Sequence, residues 1–207
     1  MFDILQKQTH ILIAGSSGSG KSVLLNDLIL WLKGHQQNRF IYIDLKMVEL
    51  VDYRHQKDCI AYADSIESAL QALQKAMTLI EHRYKQMQRL HQKKYSGIPV
   101  YIVIDELADL MTVARKQVQP LIQRISQIGR GAGVHLVVCT QCPLSKVIPT
   151  EIKVNFDCVI GLHTRSKQDS RNIIGRPGLE TLPLYGYGLL SCPQLEQPQL
   201  YRIPVWK

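Results

Sequence analysis

Short runs of consecutive apolar residues alternate along this chain with longer segments in which apolar residues recur every three or four positions. The short runs are rich in β-branched residues, which is typical of strands buried on both faces of a parallel sheet. They predict strands at residues 11–14, 39–45, 100–104, 134–139 and 158–162, and a terminal hairpin or edge pair at 187–191 and 201–205. The alternation predicts an α/β fold in which a mostly parallel central sheet is flanked by helices.

The longest helix is predicted from about residue 64 to about residue 93, because an apolar stripe recurs there at helical spacing. Asp64 and Glu67 are predicted to form a capping box at its start. Such a stripe is typical of a face that packs on a core. The polar side carries a cluster of basic residues, and such a face is more often solvated than a binding site: Arg83, Lys85, Arg89, Lys93 and Lys94.

Two further helices are predicted between strands. The first follows the strand at 11–14 over residues 23–30 and is expected to be capped by Gly34. The second spans roughly residues 118–128, where Pro120 must lie in the first turn or bend the helix because it has no N–H to donate.

The composition is that of an ordinary globular protein, with 45% hydrophobic and 20% charged residues among 207. We therefore expect a single domain over residues 1–207, with its core at about 10–191. No apolar stretch approaches the roughly 18 residues that a membrane span needs, and the first residues lack the pattern of a signal peptide. Five cysteines are an odd number, which favours reduced thiols and a cytoplasmic protein.

The formal net charge of +8 leaves two interpretations open. A basic protein often binds a polyanion such as nucleic acid. A soluble protein can also be basic without such a partner, and composition alone does not separate the two.

The segment GSSGSGKS matches the phosphate-loop pattern G-x-x-x-x-G-K-[ST] at every fixed position, and it lies between a predicted strand and a predicted helix. Glycines allow the backbone to wrap around phosphate oxygens, where N–H groups and the helix N-terminus favour negative charge. Lys21 is predicted to contact the outer phosphates and Ser22 to ligate Mg²⁺. The predicted ATP-binding residues are Gly15, Ser16, Ser17, Gly18, Ser19, Gly20, Lys21 and Ser22.

A second acidic element follows the strand predicted at 100–104, which ends in Asp105 and Glu106. Ligands bind at the carboxyl ends of strands in open α/β sheets, so these side chains are placed for a role in the site. Asp105 is predicted to hold Mg²⁺ through water, and Glu106 to polarise the attacking water as a general base. A strand that ends in acids is weak evidence alone, but its combination with a phosphate loop predicts hydrolysis of the nucleotide.

Several separate stretches resemble the motor domain of the FtsK/SpoIIIE family of DNA translocases. The resemblance implies a RecA-like core, a homo-oligomeric ring that is usually a hexamer, and ATP-driven movement of double-stranded DNA. It extends from about His10 to about Leu190 and is carried by HILIAGSSGSGKS (10–22), FIYIDLKMVEL (40–50), YIVIDELADLM (101–111), GRGAGVHLVVCTQCP (129–143) and SKQDSRNIIG (166–175).

The resemblance also implies two catalytic residues beyond the phosphate loop. Gln141 matches the family's sensor position, where an amide can hydrogen-bond the γ-phosphate or the water. Arg130 matches an arginine that family members insert into the ATP site of a neighbouring subunit, and Gly129 and Gly131 beside it suggest a mobile turn. A guanidinium there would neutralise charge that develops during phosphoryl transfer.

For DNA, the matching positions are Lys153, Lys167 and Arg171, which would contact phosphates without reading sequence. Cys142 stands where the family commonly has an arginine, so one basic contact is missing, and Arg165 or Lys146 could compensate. With Cys139, Cys142 also forms a Cys-x-x-Cys spacing, but one such pair without further ligands favours packing over zinc.

Two functions of different classes follow from these patterns. The first is an ATP-driven translocase of double-stranded DNA that works as a ring, with conjugative coupling or genome packaging as possible roles. The second is a DNA-associated ATP-binding assembly switch with slow turnover, which the arginine missing at Cys142 favours. Neither a membrane span nor a winged-helix domain is recognised in the sequence, so we expect a minimal motor of the kind that a plasmid, phage or integrative element carries.

Overall fold

The computed structural model describes residues 10–35, 37–141 and 148–203. Its strands are β1 (Ile11–Ala14), β2 (Arg39–Ile43), β3 (Cys59–Ala63), β4 (Val100–Ile104), β5 (Val134–Thr140), β6 (Cys158–Gly161), β7 (Tyr187–Ser191) and β8 (Gln199–Arg202). Its α-helices are α1 (Lys21–His35), α2 (Ile66–Arg89), α3 (Leu107–Ile128), α4 (Thr150–Lys153) and α5 (Lys167–Ile174). The strand order is β3-β2-β4-β5-β1-β6-β7-β8, and the predicted mostly parallel sheet with flanking helices is confirmed.

The chain divides into two compact units. The middle unit comprises Gln36–Val137, and the terminal unit comprises Met1–His35 together with Val138–Lys207. In the middle unit, β2 pairs in parallel with both β3 and β4. Every residue of β4 is buried, as expected for a strand of consecutive apolar and β-branched residues that is covered on both faces.

In the terminal unit, β1 pairs in parallel with β6, so that Ile11 lies opposite Cys158. Strand β7 is antiparallel to both β6 and β8. The predicted terminal edge pair is therefore confirmed, although β8 begins two residues before the predicted Tyr201. The end of that predicted strand, at residues 204 and 205, lies outside the described residues.

Strand β3 was not predicted from the sequence. It has five residues, as many as β2 and β4, and four of them are only half-buried because the strand lies at the edge of the sheet. Its residues Cys59–Ala63 form an apolar run like those of the central strands, so the signal for a strand was present in the sequence.

The start of α2 corrects the predicted capping box. The N-cap is Ser65 and not Asp64, and its hydroxyl accepts a hydrogen bond from the Ser68 N–H at 3.2 Å. The Ser68 hydroxyl in turn accepts the Ser65 N–H at 3.0 Å, so the reciprocal pair lies one residue later than predicted. The helix ends at Arg89, short of the predicted Lys93.

The other two predicted helices are longer than expected. Helix α1 continues through Gly34 to His35, so the prediction that Gly34 caps it is wrong. Helix α3 begins at Leu107, well before the predicted residue 118, and its backbone is non-helical at Ala114 (φ −130°, ψ 31°). The sequence indicated only the part beyond this irregularity, which contains Pro120.

Candidate functional site

The phosphate loop of the terminal unit joins β1 to α1. Gly18 and Gly20 have φ values of 75° and 92°, a left-handed conformation that side-chain-bearing residues rarely adopt. Ser19, which lies between them, donates its backbone N–H to the Ser16 carbonyl at 3.2 Å and so closes a turn. The loop ends at Lys21, the first residue of α1, where the first N–H groups of a helix have no intrahelical partner and favour an anion.

Lys21 lies inside this loop. Its side chain is 9% exposed, and its ammonium donates hydrogen bonds to the carbonyls of Gly15 at 3.0 Å and Ser16 at 2.8 Å. These contacts hold the ammonium inside the loop, where it is placed to donate charge-assisted hydrogen bonds to an anionic ligand.

The loop is anchored at the ends of two strands of the same unit. Ser16 donates its N–H and its hydroxyl to the carbonyl of His163, at 2.8 and 3.0 Å, just beyond β6. The Gly15 N–H donates to the carbonyl of Thr140, the last residue of β5, at 3.4 Å. The structure thus brings exposed Gln141 next to the start of the phosphate loop.

The acidic pair lies in the middle unit, directly after the buried strand β4. Asp105 is half-buried, while Glu106 is buried and is the N-cap of α3. The Glu106 carboxylate accepts a hydrogen bond from the Ala108 N–H at 3.1 Å. Glu106 therefore has a structural role as a helix cap, which the sequence did not indicate.

Asp105 lies in an unusually acidic environment. Burial raises its pKa to about 6, and the charges of Asp44, Glu49 and Glu106 add to this, while Lys46 opposes it. A bound cation would relieve this accumulation of negative charge and favour the ionised carboxylate. The Asp105 carboxylate therefore suits the role of a Mg²⁺ ligand that the sequence predicts for it.

Asp44, at the end of β2, was missed as an organising residue. Its side chain is 1% exposed, and one carboxylate oxygen accepts the N–H groups of Val48 at 3.0 Å and Leu50 at 2.9 Å. The other oxygen accepts the N–H of Lys46 at 3.2 Å. Asp44 thereby fixes the segment that follows β2, and an aspartate directly after a buried strand was the signal that could have shown this, because its side chain can accept N–H groups of the residues that follow.

Arg130 is exposed on a 3₁₀ turn, Arg130–Ala132, between α3 and β5. The Val100 N–H donates to the Gly133 carbonyl at 2.9 Å, which places this turn beside the start of β4. Glu106 follows the other end of β4, and five strand residues span about 16 Å. Arg130 therefore lies near the first residue of β4, whereas the acidic pair of its own chain follows the last. The distance between them is greater than an arginine side chain reaches.

Arg83 corrects the prediction of a uniformly solvated basic face on α2. Its side chain is 5% exposed, and its guanidinium donates to the carbonyls of Ala132 and Gly133, beside the Arg130 turn. Arginine can be buried in this way because backbone carbonyls accept hydrogen bonds from both of its terminal nitrogens. The remaining four residues of the cluster are exposed as predicted: Lys85, Arg89, Lys93 and Lys94.

The three predicted DNA contacts differ in their surroundings. Lys167 and Arg171 are exposed and lie one turn apart on α5, which is capped by Ser166. Lys153 is half-buried, donates to the Asn172 carbonyl of α5, and has a pKa lowered by burial. The structure therefore groups Lys167 and Arg171 on one surface, whereas Lys153 also holds α5 in place.

The predicted Cys-x-x-Cys pair is described only in part. Cys139 is buried in β5, as expected for a packed thiol, whereas Cys142 and the compensating Lys146 lie outside the described residues. Over 10–35, 37–141 and 148–203 no group of three or more His, Cys, Asp or Glu side chains could hold a metal ion. In the same ranges no helix has the length and apolar character to cross a membrane.

Solved structures share the fold over nearly the whole chain. The pCW3 conjugation coupling protein TcpA matches with a TM-score of 0.84 at 23% identity, over 96% of this chain and 60% of that one. The cytoplasmic domain of the type VII secretion ATPase EccC from Thermomonospora curvata matches with 0.81 at 23% identity, over 96% and 26%. The genome packaging NTPase B204 from Sulfolobus turreted icosahedral virus 2 matches with 0.61 at 21% identity, over 96% and 98%.

Sequence relatives are closer. The DNA translocase FtsK of Staphylococcus aureus (strain COL) is 40% identical over 202 residues, which cover 86% of this chain and 26% of that protein. The FtsK of Chlorobaculum tepidum is 34% identical over 226 residues, or 98% and 28%. The chain thus spans about a quarter of the length of these curated relatives. The FtsK/SpoIIIE family model matches residues 1–101 and 92–145, and the chain belongs to the FtsK/SpoIIIE family.

Proposed function

We propose that this chain is the motor domain of an ATP-driven translocase of double-stranded DNA that acts as a ring. The observation that carries the proposal is the phosphate loop with the Lys21 ammonium folded into it, in a chain of this family. The relatives are named DNA translocases, which supports DNA as the partner. The cysteines of the described residues are free thiols, which favours action in the cytoplasm.

In this mechanism the phosphate loop binds the triphosphate, and Lys21 exchanges its carbonyl partners for the outer phosphate oxygens. Ser22 and Asp105 would hold Mg²⁺, which when bound neutralises charge on the phosphates. Glu106 accepts a proton from the attacking water, and Gln141 orients that water or the γ-phosphate.

Arg130 is proposed to act in the site of a neighbouring subunit. Its position at the other end of β4 from its own Glu106 supports this, since the side chain cannot reach the acidic pair of its own chain. A guanidinium supplied by a neighbour makes hydrolysis depend on assembly, which suits a ring. We propose that this ring is a hexamer.

The test of the proposal is ATPase activity measured with and without duplex DNA, together with displacement of a bound third strand along the duplex. Turnover stimulated by DNA and accompanied by displacement is the expected result. Slow turnover that DNA does not change, with assembly on addition of ATP, would instead support the switch.

We predict that replacing Lys167 and Arg171 together by Ala flattens the dependence of DNA affinity on salt. Each lost phosphate contact lowers the slope of log affinity against log salt by about 0.9, whatever the DNA sequence. Fluorescence anisotropy over a salt series measures the slope, and ATPase without DNA should stay unchanged. Lys94→Ala, an exposed lysine elsewhere, is the matched control. A double variant with the wild-type slope would show that these residues are solvated surface charges.

A further inference from the structure

The turn that carries Arg130 is held by a buried guanidinium from α2. One Arg83 nitrogen, Nη1, donates to the Ala132 carbonyl at 2.8 Å and to the Gly133 carbonyl at 3.0 Å. The other, Nη2, donates to the Ile98 carbonyl at 2.8 Å. A single side chain thus fastens the end of the Arg130 turn to the segment that precedes β4.

Two tyrosines hold the other sides of the turn. The Tyr95 ring lies under the Arg83 guanidinium at 4.1 Å, and the Tyr95 N–H donates to the Gly131 carbonyl at 3.1 Å. The Tyr84 hydroxyl donates to the Ile128 carbonyl at 2.9 Å, at the end of α3. A Cβ on Gly131 would lie 2.4 Å from the Tyr84 oxygen, so the tyrosine packs directly against the turn.

These contacts revise the picture of a mobile glycine-flanked turn. The turn and the residue before it accept hydrogen bonds from α2 and from the segment that precedes β4. The accepting carbonyls are those of Ile128, Gly131, Ala132 and Gly133. The Arg130 side chain itself remains exposed. Burying a charged guanidinium is costly unless its donors are satisfied. Three carbonyls satisfy both terminal nitrogens of Arg83 and an aromatic face covers its plane, which suits the planar fork of arginine and not the single nitrogen of lysine, while its Nε is buried without a hydrogen-bond partner in the described residues.

We propose that Arg83 is a positioning residue for Arg130: it sets the turn from which Arg130 enters the ATP site of the next subunit. This inference rests on the proposed function. A residue with this role affects turnover in the neighbour's site while leaving nucleotide binding in its own chain unchanged. A residue that only stabilises the fold would weaken both.

The test variant is Arg83→Lys, which keeps the charge but lacks the fork. Misplacement of a catalytic group by about 1 Å costs on the order of a hundredfold in rate, so we expect turnover to fall about 10- to 100-fold. The affinity for a non-hydrolysable ATP analogue should equal that of the wild type. Arg89→Lys, the same exchange at an exposed position of α2, is the control and should keep wild-type turnover.

Mixed rings locate the defect. Arg83→Lys mixed with Lys21→Ala should regain activity, because an intact Arg130 turn then faces an intact phosphate loop. Arg83→Lys mixed with Arg130→Ala should not, because neither subunit supplies a correctly placed arginine. Equal recovery in both mixtures, or full activity of Arg83→Lys alone, would overturn the inference.

A benchmark separates this inference from the proposed function. Arg130→Ala mixed with Lys21→Ala must regain activity if Arg130 acts between subunits, and its failure in rings of confirmed assembly refutes that part of the proposed function. If the benchmark mixture regains activity and the mixture of Arg83→Lys with Lys21→Ala does not, the inference alone is wrong.

A second variant covers the case in which Arg83→Lys fails to fold. Tyr84→Phe removes only the hydroxyl that donates to Ile128, and it must show the same pattern of recovery with a smaller loss of turnover.

Discussion

Replacing Lys21 by Ala is expected to abolish productive ATP binding. The ammonium lies inside the phosphate loop on the carbonyls of Gly15 and Ser16, and its removal takes away the positive charge on which the outer phosphates would bind. Preorganised groups of this kind are worth about a hundredfold or more in rate, so we expect ATPase activity to fall at least that far.

The measurement is steady-state ATPase together with binding of a fluorescent ATP analogue. Lys85→Ala, an exposed lysine on α2, is the control for loss of one positive charge. Because Lys21 is the first residue of α1, circular dichroism should show that the Ala variant keeps its helix content. Activity of the Lys21 variant within about threefold of wild type would exclude the phosphate-loop assignment, since electrostatic groups in active sites contribute far more.

The sequence was informative where local chemistry decides the structure. The run that forms β4 consists only of apolar residues, and its burial on both faces follows from that composition. The phosphate-loop pattern needs glycine at two fixed positions: Gly20 adopts a left-handed φ value, and a Cβ on Gly15 would lie 2.7 Å from the Ser19 oxygen. These features depend on residues close together in the chain.

The sequence failed where contacts between distant residues decide. The basic residues that neighbour Arg83 on α2 predict a solvated face, yet its carbonyl partners Ala132 and Gly133 lie about 50 positions away along the chain. Only tertiary structure supplies enough acceptors to bury a guanidinium. Strand β3 is a different case, since its residues Cys59–Ala63 form an apolar run that could have predicted it.

Glu106 is both the N-cap of α3 and the proposed catalytic base, and two substitutions of this residue can separate the structural role from the catalytic role. In Glu106→Gln the amide oxygen can still accept the Ala108 N–H and cap α3, but the side chain is no longer a base. General-base catalysis is worth about 10²- to 10⁴-fold, so we expect hydrolysis to fall by that range while ATP still binds. The ATP-bound form should then accumulate, as stable rings if nucleotide drives assembly.

Glu106→Ala removes both roles and serves as the comparison. Loss of an N-cap costs about 0.5–2 kcal/mol, so the Ala variant should unfold at lower temperature than wild type, whereas the Gln variant should melt close to it. Single-turnover hydrolysis and thermal melting of the two variants therefore report different properties of one side chain. If the Gln variant hydrolyses ATP at the wild-type rate while the Ala variant is merely less stable, Glu106 is a helix cap and the catalytic base must be sought among the other carboxylates around Asp105.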